Sequence, residues 1–201
     1  KTTGNIAFGV DFTEEFKTVL SYGTGFKAPT FNDLYWPDDG FFSGNAGLKP
    51  EKAKTMELGI NGKLAQGRWA INAFHTKVDD LIAYVSDPVT FVGTMENVNQ
   101  AKMHGVELEV ATVVQDWRLS ANATLQKTEN QSGANKGNKL ARRPDRILNL
   151  NVDRRFGAME LGATLHAEGG RFMAAGNIET TAGFATVDLR GRYQIAKDGS
   201  V

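Results

Sequence analysis

An all-β protein, part of an antiparallel transmembrane β-barrel, is what this 201-residue sequence predicts. Three observations point there. Side chains alternate between apolar and polar with a period of two, connections alternate between short and long, and aromatic residues gather near the connections at two levels.

Taken in chain order, residues 5–12 and 16–25 split by parity into an apolar and a polar set, and a long connection follows at about 26–53. Residues 54–61 alternate again. The segment 69–85 begins cleanly, but Phe74 and His75 break its alternation, which predicts a bulge or a change of phase. Residues 105–112 and 146–153 behave like 54–61. Between them, 117–126 sets Trp117, Leu119, Ala121, Ala123 and Leu125 against Arg118, Ser120, Asn122, Thr124 and Gln126. In 159–168 Met159, Leu161, Ala163, Leu165 and Ala167 oppose Glu160, Gly162, Thr164, His166 and Glu168. The last such run is 185–195, making about nine strands and no helix.

Tight connections are expected near 12–15, 63–68, 113–116, 154–158 and 196–200, and long ones at about 26–53, 86–97, 127–143 and 169–183. A soluble sandwich has no reason to sort its loops by end, whereas an outer-membrane barrel turns tightly at the periplasm and loops broadly outside. Phe12, Phe16, Trp69, Trp117, Phe156 and Tyr193 lie beside the short turns, and Tyr22, Phe26 and Phe184 near the long ones. The polar parity set carries Glu57, Glu107, Glu109, Arg118, Arg190 and Arg192, which suits a water-filled or plugged lumen. Strands of ~9–11 residues tilted by ~45° cross the hydrocarbon, where backbone groups must all be paired. Nine strands with two loose edges do not close, so further strands are expected on both sides.

The totals narrow the partners. Basic and acidic residues number 23 each, so no net field steers the chain to nucleic acid. No apolar run reaches the ~20 residues of a spanning helix, and the absence of cysteine removes disulfides and thiolate metal sites. The opening KTTGNIAF and closing YQIAKDGSV both look cut, so an internal piece of a longer protein is expected.

With these elements in place, SYGTGFKAPTFNDLY followed by NAGLKPEKAKTMELGI resembles the paired motif of TonB-dependent outer-membrane receptors. FHTKVDDLIAYV, ENVNQAKMHGVELEV and ATVDLRGRYQI match that family's next signatures in order, so the resemblance runs from end to end. It implies a 22-stranded barrel around an N-terminal plug, of which this chain would be strands twelve to twenty. The plug, the TonB-binding box and the last two strands would lie outside 1–201. Within the family, KLARRPDRILNLNVD (residues 139–153) looks like a segment of the cobalamin (vitamin B12) receptors. Siderophore and haem receptors share the Phe-Lys-Ala-Pro and Leu-Lys-Pro-Glu signatures and stay open as alternatives.

The resemblance implies a non-enzymatic receptor in the outer membrane. Its partners would be its own plug, TonB through that plug, membrane lipid, and cobalamin or an iron chelate as ligand. No cofactor is expected. FKAPTFNDLYWPDDGFF would be an extracellular loop over the barrel mouth, with Phe31, Asn32, Tyr35 and Trp36 as candidate ligand contacts. Packing among loop neighbours is the plainer role for the same rings. Arg142 and Arg143 are expected to face inward with the polar set, meeting acidic plug or wall residues such as Glu107 and Glu109. The acidic pairs Asp38–Asp39 and Asp79–Asp80 supply no recognisable calcium set, and His75, His104 and His166 show no ligand spacing. Two other classes compete less well: a barrel lipase or protease, for which Ser120 and His166 are the available groups, and a soluble adhesive β-module.

Overall fold

The computed structural model describes residues 2–86, 89 and 92–195, without the side chains of 86, 98 and 99. The tight turn expected at 196–200 and part of the connection at 86–97 lie outside the described residues. β1 (Asn5–Thr13) and β2 (Phe16–Lys27) form the first hairpin. A helix, α1 (Phe31–Tyr35), and a two-residue strand, β3 (Phe42–Ser43), occupy the connection to β4 (Glu51–Leu64). There follow β5 (Gly67–Ser86), β6 (Gly93–Val114), β7 (Trp117–Asn130), β8 (Arg146–Phe156) and β9 (Met159–Glu168). A miniature hairpin, β10 (Arg171–Phe172) with β11 (Thr180–Thr181), precedes β12 (Phe184–Tyr193). The nine long strands lie in the order β1-β2-β4-β5-β6-β7-β8-β9-β12, each antiparallel to the next.

Register turns parity into two continuous faces. One cross-strand row reads Val10, Thr18, Ile60, Ile71, Leu108, Ala123, Leu148, Ala167 and Ala185. One residue closer to the short turns, the adjacent row reads Asp11, Lys17, Asn61, Ala70, Glu109, Asn122, Asn149, His166 and Thr186. The apolar face is open to its surroundings: even on interior strands, Leu58 is 43% and Leu125 52% exposed. A soluble monomer rarely leaves an apolar patch of more than a few hundred Å² uncovered, so a face nine strands wide calls for hydrocarbon against it. β4, with 14 residues, spans ~33 Å at ~45° of tilt, enough to cross a bilayer core.

An aromatic belt closes the lower edge of that face. Phe12, Phe16 and Trp69 follow one another with centroid separations of 5.6 and 6.3 Å. The Arg154 guanidinium lies 5.1 Å from the Trp117 centroid and 4.9 Å from that of Phe156. All sit beside the short turns, where amphipathic rings and a cation fit the membrane–water boundary.

Four expectations need correction. The connection at 26–53 does hold a helix, because Thr30 and Asp33 form a reciprocal capping box (3.1 and 2.8 Å). No bulge occurs at Phe74–His75, where β5 pairs one-to-one with both neighbours; Phe74 simply lies on the polar face and His75 on the apolar one. The outer connection at 86–97 is shorter than expected, because β5 and β6 run to 20 and 22 residues and project beyond the membrane. Phe184 does not join an upper belt: it lies on the polar face, its ring 5.7 Å from that of His166.

Candidate ligand-binding site

The long connections converge at one end of the sheet. Among the described residues the buried apolar side chains are Leu48, Val78, Leu81, Ile82, Ala101 and Leu140. Val78, Leu81, Ala101 and Leu140 pack together with Ala53 and Met103, so loop 131–145 is anchored on the polar side of the wall. Leu140 N–H donates to the Thr128 hydroxyl at 3.2 Å, which satisfies one polar group within that packing.

The sequence-predicted contacts Phe31, Asn32, Tyr35 and Trp36 sit on and just after α1. Phe31 and Tyr35, one helical turn apart, are 75% and 56% exposed and pack ring to ring at 5.1 Å. Asn32 is exposed beside them. Trp36 is held differently, edge-on to Phe42 at 6.3 Å, and Phe42 in turn stacks on Tyr84 of β5 at 6.1 Å. The chain returns tightly past α1: a Cβ at Gly44 would lie 2.5 Å from Trp36 N, so only glycine fits there. Asp39 accepts from the Phe41 and Phe42 amides at 2.9 and 2.8 Å, and these bonds hold its pKa below the usual carboxylate value.

This loop is strapped to the projecting β5–β6 hairpin. β3 pairs in parallel with Gly93–Thr94, and Thr94 donates its hydroxyl hydrogen to Ser43 O at 2.9 Å. Asn97 completes the strap, accepting from Lys49 N (2.8 Å) and donating to Lys49 O (2.9 Å) and Asp80 O (2.7 Å). Asn177 does the same between the other two loops, accepting from Lys139 N at 2.7 Å and donating to Lys139 O at 2.9 Å. The amide side chain of each asparagine stands in for a missing strand.

Between the β5–β6 hairpin and these loops lies a cleft of about 320 Å³, with an apolar wall supplied by Ile82, Tyr84 and Met95. Arg142 and Arg143, expected on the inward wall, instead line this cleft from loop 131–145, both exposed. Arg142 adopts a positive φ of 60°, and its N–H donates to Phe172 O at 2.7 Å. Among the described residues neither arginine forms an ion pair with Glu107 or Glu109. The cleft does not include Phe31, Asn32, Tyr35 or Trp36, so the candidate contacts divide into two groups at the same end.

Glu57, Glu107, Glu109, Arg118, Arg190 and Arg192 all fall on the polar face. Glu57 accepts from the Ser21 hydroxyl at 3.3 Å. Arg118 pairs with Glu160. Arg190 pairs with Asp153 at 2.8 Å and also donates to Thr164, which donates on to Asn151 at 2.7 Å. Gly162 leaves the room for this network, since a Cβ there would collide with the Asp153 carboxylate. His166 lies between Asn149 Oδ1 (2.6 Å) and Glu168 Oε1 (3.3 Å), and no hydrogen bond joins it to Ser120.

A continuous antiparallel wall with an apolar outer face, a polar inner face and structured loops at one end defines a segment of a transmembrane β-barrel. The family model for the TonB dependent receptor-like β-barrel matches residues 1–201, and the chain belongs to that family. The family is one of receptors and transporters, located in the bacterial outer membrane. The chain is 39% identical over 121 residues to the vitamin B12 transporter BtuB of Vibrio vulnificus (strain YJ016), covering 59% of this chain and 19% of that one. It thus spans about a fifth of that relative's length. Among solved structures, the copper transporter OprC superposes with a TM-score of 0.78 at 18% identity, over 97% of this chain and 31% of that one. The ferric yersiniabactin uptake receptor FyuA from Yersinia pestis gives 0.76 at 22%, over 97% and 30%. At those identities the two structures establish the fold alone.

Proposed function

We propose that the chain is part of the barrel wall, with its outer loops, of a receptor that takes up cobalamin across the outer membrane with energy from TonB. The observation that carries the ligand is the 39% identity to a vitamin B12 transporter over 121 residues. The remaining strands and a plug domain, supplied by the rest of the receptor, close the wall and fill its lumen. Glu57, Glu107, Glu109, Arg118, Arg190 and Arg192 then meet the plug, while Phe31, Asn32, Tyr35 and Trp36 meet the ligand. Transport itself breaks no covalent bond, so no catalytic residue is assigned.

A large corrin ligand fits rings that are flat, exposed and edged with polar atoms, as Tyr35 and Trp36 are. The test is cyanocobalamin titration of the full-length receptor in detergent, with a ferric siderophore and haem in parallel. Saturable cobalamin binding that weakens in the Tyr35→Ala, Trp36→Ala double variant supports the reading. Binding of an iron chelate or haem in its place moves the protein to the siderophore or haem receptors, the second reading, which the shared fold also accommodates.

A further inference from the structure

The apolar face ends, towards the loops, in a patch of cations. Lys54, Lys77 and Lys102 stand directly opposite one another across β4, β5 and β6. In the next row of that face towards the short turns, His75 faces His104 and His104 faces Lys127. The two imidazoles are stacked 6.2 Å apart, and His104 Nδ1 is buried without a hydrogen-bond partner. Like charges directly opposite in a sheet repel, so such a row costs stability unless an anion covers it.

Carboxylates near the patch do not balance it. Glu129 lies opposite Lys102 and 3.8 Å from Lys127. Lys52, one row above Lys54, is opposite Asp79 and pairs with Asp80 at 3.1 Å, while Asp79 also accepts from Gln100. Among the described residues, Lys54, Lys77 and Lys102 have no ion pair.

Position in the membrane identifies the anion. Lys77 lies about 10 residues up β5 from the short turn and Lys102 about 12 residues up β6, which at ~40° of tilt is roughly 25–30 Å. The apolar band of such a barrel is ~25 Å tall, so the row sits at the outer headgroup level. We propose that Lys54, Lys77 and Lys102, with Lys127 and the His75–His104 pair beneath them, bind the phosphates of a phosphorylated glycolipid of the outer leaflet. This site is on the lipid side of the wall and independent of which nutrient the receptor carries.

The experiment is titration of the detergent-solubilised full-length receptor with diphosphorylated lipid A, its dephosphorylated form, and inorganic phosphate. At roughly fivefold per lysine near a charged surface, the triple variant Lys54→Gln, Lys77→Gln, Lys102→Gln is expected to bind diphosphorylated lipid A about a hundredfold more weakly. Lys136→Gln, an exposed loop lysine, serves as the control and should match the parent. If the triple variant is not recovered folded, Lys77→Gln alone is expected to lose about fivefold. Unchanged affinity in the lysine variants, or equal affinity for the dephosphorylated lipid, overturns the proposal. Displacement of lipid A by inorganic phosphate at equal concentration shows a free-anion site and overturns the lipid assignment.

Discussion

Replacing Leu108 by arginine tests the assignment of the two faces more directly than any ligand experiment. Leu108 lies in the middle of the apolar row, between Ile71 and Ala123, and is 40% exposed. It is about 6 residues from the short-turn end of β6, hence roughly 15 Å up a ~25 Å band and close to the bilayer midplane. An arginine there is expected to cost about 2–4 kcal/mol, a shift of about 30- to 900-fold in the folding equilibrium. On an exposed soluble sheet the same change would stay within about 0.5 kcal/mol. Glu107, its neighbour in sequence, points to the polar face between Asn72 and Thr124 and has no ion pair among the described residues, so Glu107→Arg should cost less than about 1 kcal/mol. Both variants of the full-length receptor can be refolded into phosphatidylcholine vesicles and their folded fractions compared by heat-modifiable gel mobility across a urea series. Equal stability of the two would refute the reasoning, because it would remove the distinction between a lipid face and a water face.

Other consequences are more local. Thr30→Ala removes the hydroxyl that accepts from Asp33 N, and should destabilise α1 by about 1 kcal/mol, read as faster amide exchange at Asp33 and Leu34. Arg190→Ala strips Asp153 and Thr164 of a shared donor and should cost about 1 kcal/mol in a wet lumen, without loss of membrane insertion. The lowered pKa of Asp39 means that its turn is supported above the unfolded carboxylate value and loses that support as pH falls through the lower folded value. Amide protection of Phe41 and Phe42 should therefore persist at pH 5 and fade only in acid stronger than the ordinary aspartate value of about 3.9. An Asp39→Asn variant, unable to lose a charge, should show no such pH dependence.

Parity made the wall readable, because one face meets lipid and every strand must obey the same period. What parity misses is register. His75 and His104 are far apart in sequence, and only counting residues back from the turns at Ala65–Gln66 and Gln115–Asp116 brings them face to face. Phe74 and His75 resemble a defect because each carries the chemistry of the opposite face; the backbone is regular through both. α1 has a readable signal in Thr30 and Asp33, but five residues are too few for periodicity to show. The projecting end of β5 reads Leu81, Ile82, Ala83, Tyr84 and Val85, apolar on both faces, while that of β6 opens with Thr94, Met95, Glu96 and Asn97, largely polar, so alternation fades where the strands continue. Asn97 and Asn177 had no signal at all, since any surface loop holds asparagines and only the fold supplies the backbone groups that they bridge.

The cross-strand rows also carry a geometric instruction. The row through Thr24, Lys54, Lys77, Lys102 and Glu129 climbs by about one residue per strand relative to the successive short turns. With ~3.3 Å per residue and ~4.8 Å between strands, that shear inclines the strands by about 35°. Strand number and shear together set a barrel's radius, whatever side chains line it. The bore is therefore written in hydrogen-bond register, and the loops above it are free to change their cargo without rebuilding the pipe.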